Sequence, residues 1–257
     1  MKAPSFAYAK PGSLAEAFQL LERPGARILA GGQSLIPSLN LRLSSPELLV
    51  DITGLPGLSK IEARNGALHV GALCTHASIE KSEVVKSHLP LLADAMPQIA
   101  HPAIRNRGTL GGSLALADPA AELPACAVAL QAVFTLLSKR GERRVAAADF
   151  FKGLFETDLK PDEILAGVEF PRAEKSVFLE LTRRHGDYAI VGLAGVTQSS
   201  RKRLCFFALA GKPVLLTPKS LDEAKQSIPA PAADLYHSSS TKLHLARVLI
   251  DRAWNQL

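Results

Sequence analysis

Cysteines, aromatic residues and long apolar runs are scarce in this chain of 257 residues. Its three cysteines, Cys74, Cys126 and Cys205, lie far apart and form no CxxC pair, so local spacing predicts neither a disulfide framework nor a zinc or iron-sulfur site. Only 5% of the residues are aromatic, which disfavours a surface for stacking nucleic-acid bases. No apolar run approaches the ~18 residues of a membrane span, and the first residues lack the apolar core of a signal peptide. These absences predict a cytoplasmic protein with no membrane span, no bound nucleic acid and no metal.

The common catalytic and nucleotide-binding motifs are also missing. The chain contains no GxGxxG, GxxxxGK[ST], HExxH or GxSxG sequence, which argues against Rossmann, P-loop, zinc-protease and α/β-hydrolase chemistry. Its seven histidines have no metal-like spacing. We therefore assign no catalytic residue and no metal ligand.

Positive charge is concentrated at one end of the chain. The formal net charge is +6, and the last 57 residues carry nine Lys and Arg against four Asp and Glu. A basic end on a near-neutral body favours docking to an acidic partner, and we expect Arg201, Lys202 and Arg203 to contribute. A basic, non-enzymatic binding protein is the alternative.

Apolar periodicity and turn signals predict an α+β fold in three parts. Residues 1–55 alternate helix and strand in a small βαβ-like unit. Residues 56–172 combine hairpins, short helices and strands, and Pro171 with the polar residues after it indicates a boundary. Residues 173–257 contain three β-rich runs followed by two helical ones, which predicts a three-stranded sheet with helices.

Local signals refine this outline. Ser13 and Ser34 each precede a helical pattern and are possible N-caps. Asn65 and Gly66 separate two short alternating runs, which predicts a tight hairpin.

Two glycine pairs are candidates for holding a phosphate. They are Gly31–Gly32 and Gly111–Gly112, with Arg105 and Arg107 just before the second. Glycine lets the backbone approach an anion closely, and consecutive N–H groups supply hydrogen bonds. Hydroxyl or amide side chains flank both pairs: Gln33, Ser34, Thr109 and Ser113. Either loop by itself also suits an ordinary turn.

Three segments together resemble a known family. AGGQSLIPSLNLRL at 30–43, IRNRGTLGGSLALADPAAELPA at 104–125 and RRHGDYAIVG at 183–192 are similar to the FAD-binding medium subunit of molybdenum hydroxylases, the xanthine dehydrogenase and carbon monoxide dehydrogenase family. Their order and spacing match over residues 1 to about 200.

The resemblance implies a two-part FAD-binding domain of the vanillyl-alcohol-oxidase-like (PCMH) type, followed by a small C-terminal α+β lobe. The pyrophosphate would lie between the glycine loops, Ile99 and Leu165 would be apolar contacts, Glu122 a polar one, and Tyr188 would approach the isoalloxazine ring. Carried over position by position, the cofactor-binding residues are Leu29, Ala30, Gly31, Gly32, Gln33, Ser34, Leu35, Ile36, Ile99, Thr109, Leu110, Gly111, Gly112, Ser113, Glu122, Leu165 and Tyr188.

The resemblance also implies an oxidoreductase subunit that relays electrons. In such enzymes a molybdopterin-binding large subunit oxidises the substrate, and electrons cross two 2Fe-2S clusters in a small subunit to reach FAD and then an external acceptor. The subunits would assemble as a dimer of heterotrimers, with the molybdenum cofactor and the clusters only in the partners. The alternative with the same fold is a free-standing FAD-dependent oxidase, which would need a substrate pocket with an acid or base.

Overall fold

The computed structural model describes residues 2–257, which form fourteen strands in four sheets, eleven α-helices and one short 3-10 helix (Met96–Gln98). The N-terminal unit is a parallel sheet in the order β1-β3-β2, so the carboxyl ends of its strands meet at one edge. Ser13 caps α1 as predicted, accepting from the N–H of Glu16. Ser34 makes no side-chain cap bond because its backbone is already helical. The elements are β1 (Ala7–Ala9), α1 (Leu14–Leu21), β2 (Ala26–Leu29), α2 (Leu35–Asn40) and β3 (Leu48–Asp51).

The second unit is a five-stranded antiparallel sheet in the order β4-β5-β10-β6-β7, covered by short helices. The hairpin at Asn65–Gly66 is confirmed, and both residues have the positive φ of a type I′ turn. Its elements are β4 (Ile61–Arg64), β5 (Ala67–Gly71), α3 (His76–Lys81), α4 (Glu83–His88), α5 (Pro90–Ala95), α6 (Pro102–Arg105), α7 (Leu110–Leu116), α8 (Glu122–Ala129), β6 (Val133–Ser138), β7 (Gly141–Ala146), α9 (Ala147–Phe150), β8 (Phe151–Gly153), β9 (Glu156–Thr157) and β10 (Ile164–Pro171).

The C-terminal lobe contains a four-stranded antiparallel sheet in the order β11-β12-β13-β14, one strand more than predicted. The added strand is only three residues long and lies at the sheet edge, so it lacks an alternating pattern that sequence could reveal. Among residues 2–257 no helix has both the length and the apolar character needed to cross a membrane. The elements are β11 (Lys175–Leu181), β12 (Val191–Gln198), β13 (Arg201–Phe207), β14 (Val214–Leu216), α10 (Leu221–Gln226) and α11 (Ser239–Trp254).

The C-terminal sheet joins the second unit through one of its two faces. Because side chains alternate along a strand, Val177 of β11 packs in the core under α11, whereas Phe178 turns to the core that contains α8. There Phe178 stacks on Phe207 at 5.7 Å between ring centroids. Glu180 has the same parity as Phe178, so it lies on the face that meets α8.

The expected docking role of the basic segment needs correction. Lys202 donates to the carbonyl of Trp254 (2.8 Å) and lies 4.2 Å from the centre of its indole ring. Arg203 is buried and donates through Nε to the carbonyl of Ala129 (2.8 Å). Lys202 therefore stabilises the lobe itself and Arg203 joins it to α8 of the second unit, and of the three only Arg201 is exposed.

Candidate functional site

A cleft of about 880 Å³ opens at the carboxyl edge of the N-terminal parallel sheet. It is lined by residues of both predicted glycine loops: Leu29, Ala30, Gly31, Gly32, Gln33, Ile36 and Thr109. Arg107 also lines it. The other lining residues were not predicted from the sequence: Tyr8, Lys10, Pro37, Asn40, Asp51, Thr53, Ser59, Leu73, Thr75 and Asn106. Several of these could have been found, because residues at the ends of parallel strands reach the same edge as the first loop.

One wall of the cleft carries a compact polar cluster. The Tyr8 hydroxyl donates to Oδ2 of Asp51 at 2.5 Å, and Oδ1 of Asp51 accepts from the backbone N–H and the hydroxyl of Thr53. Burial raises the pKa of the Asp51 carboxyl, but hydrogen bonds from Thr53 and Tyr8 outweigh it, and the pKa lies below its usual value. Asp51 is therefore an ionised acceptor beside the cationic Lys10.

The first glycine loop, residues 30–34, presents unused donors. Among residues 2–257, no hydrogen bond is donated by the backbone N–H of Gly31, Gly32, Gln33 or Ser34. Gly32 has φ +74°, a conformation that favours glycine. A Cβ on Gly31 would overlap the carbonyl of Arg107, so the first loop touches the segment that leads into the second. The loop thus combines free N–H groups with a close contact to the backbone of Arg107 that only glycine permits.

In the second glycine loop, residues 109–113, the backbone N–H groups of residues 110–113 donate to acceptors within the chain. Thr109 caps α7 through its hydroxyl, and a Cβ on Gly111 would lie 2.5 Å from that of Ala72. The N–H groups that follow Thr109 all have acceptors: the carbonyl of Cys74 for Leu110, that of Ala72 for Gly111, the hydroxyl of Thr109 for Gly112 and its carbonyl for Ser113. The expectation that both loops offer free N–H groups therefore applies to the first loop only.

A buried histidine packs against the segment that leads into the second loop. His76 is 5% exposed, and a Cβ on Gly108 would lie 3.0 Å from its ring. Within residues 2–257 neither ring nitrogen has a hydrogen-bond partner. Burial lowers the pKa of His76 to about 4, so the ring is neutral at physiological pH.

Two other predicted residues, Glu122 and Tyr188, lie near Asp118 beyond the opposite end of α7, and a third, Ile99, lies in the core. Glu122 is the first residue of α8 and is 8% exposed; burial, with a contribution from Asp118, raises its pKa to about 7. Tyr188 is 75% exposed, and partial burial of its hydroxyl together with Asp118 and Glu122 raises its pKa. Ile99 is buried in the core of the second unit. This junction between lobes is lined by carboxyl groups.

The arginines before the second loop have separate roles. Arg105 is buried, pairs with Glu80 at 2.9 Å and donates to the carbonyl of Ile99 at 3.0 Å, so it holds the segment that carries Ile99. Arg107 is exposed at the cleft. Leu165 is buried in the same core as Ile99, and neither lines the cleft.

The structure therefore divides the predicted residues into three groups. The cleft group comprises Leu29, Ala30, Gly31, Gly32, Gln33, Ile36 and Thr109. The second group lies beside lining residues in sequence without lining the cleft: Ser34, Leu35, Leu110, Gly111, Gly112 and Ser113. The remaining residues, away from the cleft, are Ile99, Glu122, Leu165 and Tyr188. No group of three or more His, Cys, Asp or Glu among the described residues is placed to hold a metal ion.

Comparison with known proteins decides the family. A family model described as the FAD binding domain in molybdopterin dehydrogenase matches residues 4–173. The chain belongs to this family. It is thus an FAD-binding subunit of the molybdenum hydroxylases, and its cofactor is FAD.

Relatives agree along most of the chain. The 6-hydroxypseudooxynicotine dehydrogenase complex subunit alpha of Paenarthrobacter nicotinovorans is 44% identical over 80% of this chain and 71% of its own length. The carbon monoxide dehydrogenase medium chain of Hydrogenophaga pseudoflava is 34% identical over 98% and 96%. A solved structure of carbon monoxide dehydrogenase from the same organism superposes with a TM-score of 0.93 at 32% identity, covering 100% of this chain and 98% of that one. These relatives are oxidoreductase subunits of multi-subunit complexes, so this FAD subunit has partner subunits.

Proposed function

We propose that this FAD subunit relays electrons in a heteromeric molybdenum hydroxylase, between a 2Fe-2S small subunit and an external acceptor. A molybdopterin-binding large subunit would oxidise the substrate, and the three subunits would form a dimer of heterotrimers. The relatives named as a medium chain and as a complex subunit support this arrangement. The observation that carries the proposal is the cleft lined by Gly31, Gly32 and Gln33, whose backbone N–H groups donate no hydrogen bond, and by Thr109 of the second loop.

The anionic pyrophosphate of FAD suits the cleft. A pyrophosphate needs close backbone approach, N–H donors and positive charge. Gly31 and Gly32 supply the approach and the donors, and Lys10 and Arg107 line the same cleft. Thr109, whose hydroxyl is bonded to the N–H of Gly112, lines it from the second loop.

The remainder of FAD, in this proposal, extends along α7 to the junction between the lobes. Tyr188 is a broad exposed aromatic surface there, suited to the isoalloxazine ring, and Glu122 is a polar group beside it. When bound, FAD supplies the redox chemistry, and the residues of this chain bind and orient it and shape its surroundings. No acid or base of the chain is required for that role.

The proposed domains of the chain are three structural units. We propose boundaries at 1–55, 56–172 and 173–257, because each range contains its own main sheet, although the apolar clusters of the first two ranges also include residues of the next range. The first unit packs α1 on its parallel sheet, the second packs its helices on β5, β6 and β10, and the third packs α11 on its sheet.

A fluorescence titration of the purified chain with FAD, with FMN and ADP as competitors, tests the proposal. We expect saturable binding of FAD that ADP weakens and FMN weakens less, because FAD and ADP share the pyrophosphate. Circular dichroism establishes that the chain is folded. A folded chain that takes up no FAD, alone or with its partner subunits, would contradict the site and the relay role.

A further inference from the structure

The cleft at the carboxyl edge of the parallel sheet contains one acid that its proposed anionic ligand does not explain. Among the residues of 2–257 that line it, only Asp51 is acidic, whereas Lys10 and Arg107 are cationic. A carboxylate repels phosphate. Its place in a cleft that offers free N–H groups and positive charge to an anion therefore indicates a second, neutral group of the ligand.

Strand pairing places Asp51 beside the first glycine loop. Leu29, the last residue of β2, pairs with Asp51, the last residue of β3, and the N–H of Ile52 donates to the carbonyl of Leu29 at 3.0 Å. Neighbouring strands lie about 4.8 Å apart, and the loop of residues 30–34 begins directly after Leu29. A ligand held by the N–H groups of this loop therefore lies close to Asp51.

Asp51 and Tyr8 together offer acceptors to such a ligand. The Tyr8 hydroxyl gives its proton to Oδ2 of Asp51 at 2.5 Å, and Oδ1 accepts from the N–H of Thr53 at 2.9 Å and from its hydroxyl at 2.6 Å. A carboxylate has about four lone-pair sites, so one remains, and the phenolic oxygen keeps its own. Tyr8 lines the cleft and is 56% exposed. The two side chains therefore suit a ligand with hydroxyl donors.

The two halves of FAD leave the pyrophosphate from opposite ends. In the proposed site the isoalloxazine half follows α7 towards Tyr188, so the adenosine half leaves towards the carboxyl ends of β1, β2 and β3. Ligands of parallel sheets bind outside these strand ends, and here Asp51 and Tyr8 line the cleft. The group joined directly to the pyrophosphate on that side is a ribose, whose 2′ and 3′ hydroxyls are neutral donors.

We propose that Asp51, assisted by Tyr8, is a further FAD-binding residue that accepts hydrogen bonds from the ribose hydroxyls of the AMP half of FAD. The inference rests on the proposed function of the site. Lys10 and Arg107 would meet the charge of the pyrophosphate, and the carboxylate of Asp51 would repel a phosphate from the ribose position. The affinity for FAD then depends on an intact ribose diol and on the charge of Asp51.

The first test compares two competitors on the unmodified full chain and needs no variant to fold. ADP and 2′,3′-dideoxy-ADP are titrated against bound FAD, and displacement is followed by flavin fluorescence. The two molecules differ only in the ribose hydroxyls. Because a hydrogen bond to a charged acceptor is among the stronger ones, the dissociation constant of dideoxy-ADP should exceed that of ADP roughly tenfold or more.

The second test removes the charge from the acceptor. Asp51→Asn keeps the shape of the side chain, and it should weaken FAD binding roughly tenfold and reduce the difference between ADP and dideoxy-ADP to about threefold or less. Asp149→Asn makes the same change at an exposed position on α9 outside the cleft. This matched control should keep both the affinity for FAD and the difference between the competitors.

Two results would overturn this inference alone, since FAD still binds in both. One is equal displacement of FAD by ADP and dideoxy-ADP from the unmodified chain. The other is a folded Asp51→Asn chain that binds FAD as tightly as Asp149→Asn. A folded, unmodified chain that binds no FAD would instead overturn the proposed function, and the inference with it.

Discussion

The two glycine loops look alike in sequence, yet they use their glycines differently. In the first loop, Gly31 and Gly32 leave a row of backbone N–H groups without acceptors at the cleft. In the second, Gly111 and Gly112 bond to Ala72 and Thr109, and their backbone packs against the end of the neighbouring sheet. The first loop therefore presents donors to a ligand, and the second fixes the position of Thr109 and Arg107.

Close backbone contacts explain why both loops need glycine. A side chain on Gly31 would strike the carbonyl of Arg107, and one on Gly111 would strike Ala72. Glycine here allows two backbone segments to meet, which is a packing requirement. The conformational requirement for glycine is confined to Gly32, the member of the two pairs with a positive φ.

The largest expected effect comes from filling the close backbone contacts at Gly31 and Gly111. Gly31→Val and Gly111→Val should each lower the free energy of unfolding by roughly 3 kcal/mol or more, because backbone atoms must move to accept the side chain. Gly12→Val is the matched control, since the nearest atom to a Cβ there is 3.9 Å away. Denaturant unfolding measures all three. If Gly31→Val is as stable as Gly12→Val, the loops do not touch as described.

Acid should weaken the second loop before the first. His76 lies beneath the second loop with its pKa lowered to about 4, whereas residues 30–34 contain no titratable side chain. The unfolded chain binds a proton at His76 below pH ~6.5 and the folded chain does not, so stability falls as the pH drops from about 6.5 to about 4. The loss attributable to His76 is up to about 3 kcal/mol.

The pH dependence of stability in His76→Gln tests this assignment. The variant cannot titrate at this position, so its unfolding free energy should fall less steeply between pH 6.5 and pH 4. His244→Gln, at an exposed position on α11, is the control and should keep the slope of the unmodified chain. Identical slopes for all three proteins would show that His76 does not carry the acid sensitivity.

The next effect separates ligand binding from packing. Gly32→Ala should weaken FAD binding roughly tenfold to a hundredfold, because a Cβ strains the loop and turns its N–H groups away from the phosphate. The strain itself costs only about 1–2 kcal/mol, so the chain should still fold. Gly112→Ala has an ordinary backbone conformation and crowds only the Thr109 hydroxyl at 2.9 Å. It should lose less affinity, and equal losses in FAD titrations would remove the distinction between the loops.

Only part of this difference between the two loops can be predicted from the sequence. The Ser13 cap, the Asn65–Gly66 hairpin and the α+β class follow from local patterns and are confirmed. Local patterns could also locate both glycine pairs. They could not show that the N–H of Gly111 bonds to Ala72, because that contact depends on how a loop returns to the end of a strand 39 positions earlier.

The missed residues have the same origin. Tyr8 and Asp51 lie 43 residues apart and meet because β1 and β3 pair in parallel. Such pairs follow from topology, which a single sequence without homologues does not fix.

The smallest expected effect comes from removing the Thr109 cap of α7, which we compare with removal of the Ser220 cap of α10. Thr109→Ala should cost about 1 kcal/mol of stability and release the N–H of Gly112. Ser220→Ala removes a comparable cap on α10, where the hydroxyl accepts from the N–H of Glu223 at 3.2 Å, and should cost a similar amount. Only Thr109→Ala should also change the affinity for FAD, because Thr109 lines the cleft and Ser220 does not. A change of FAD affinity in both variants would mean that general loosening, and not the position of Thr109, controls binding.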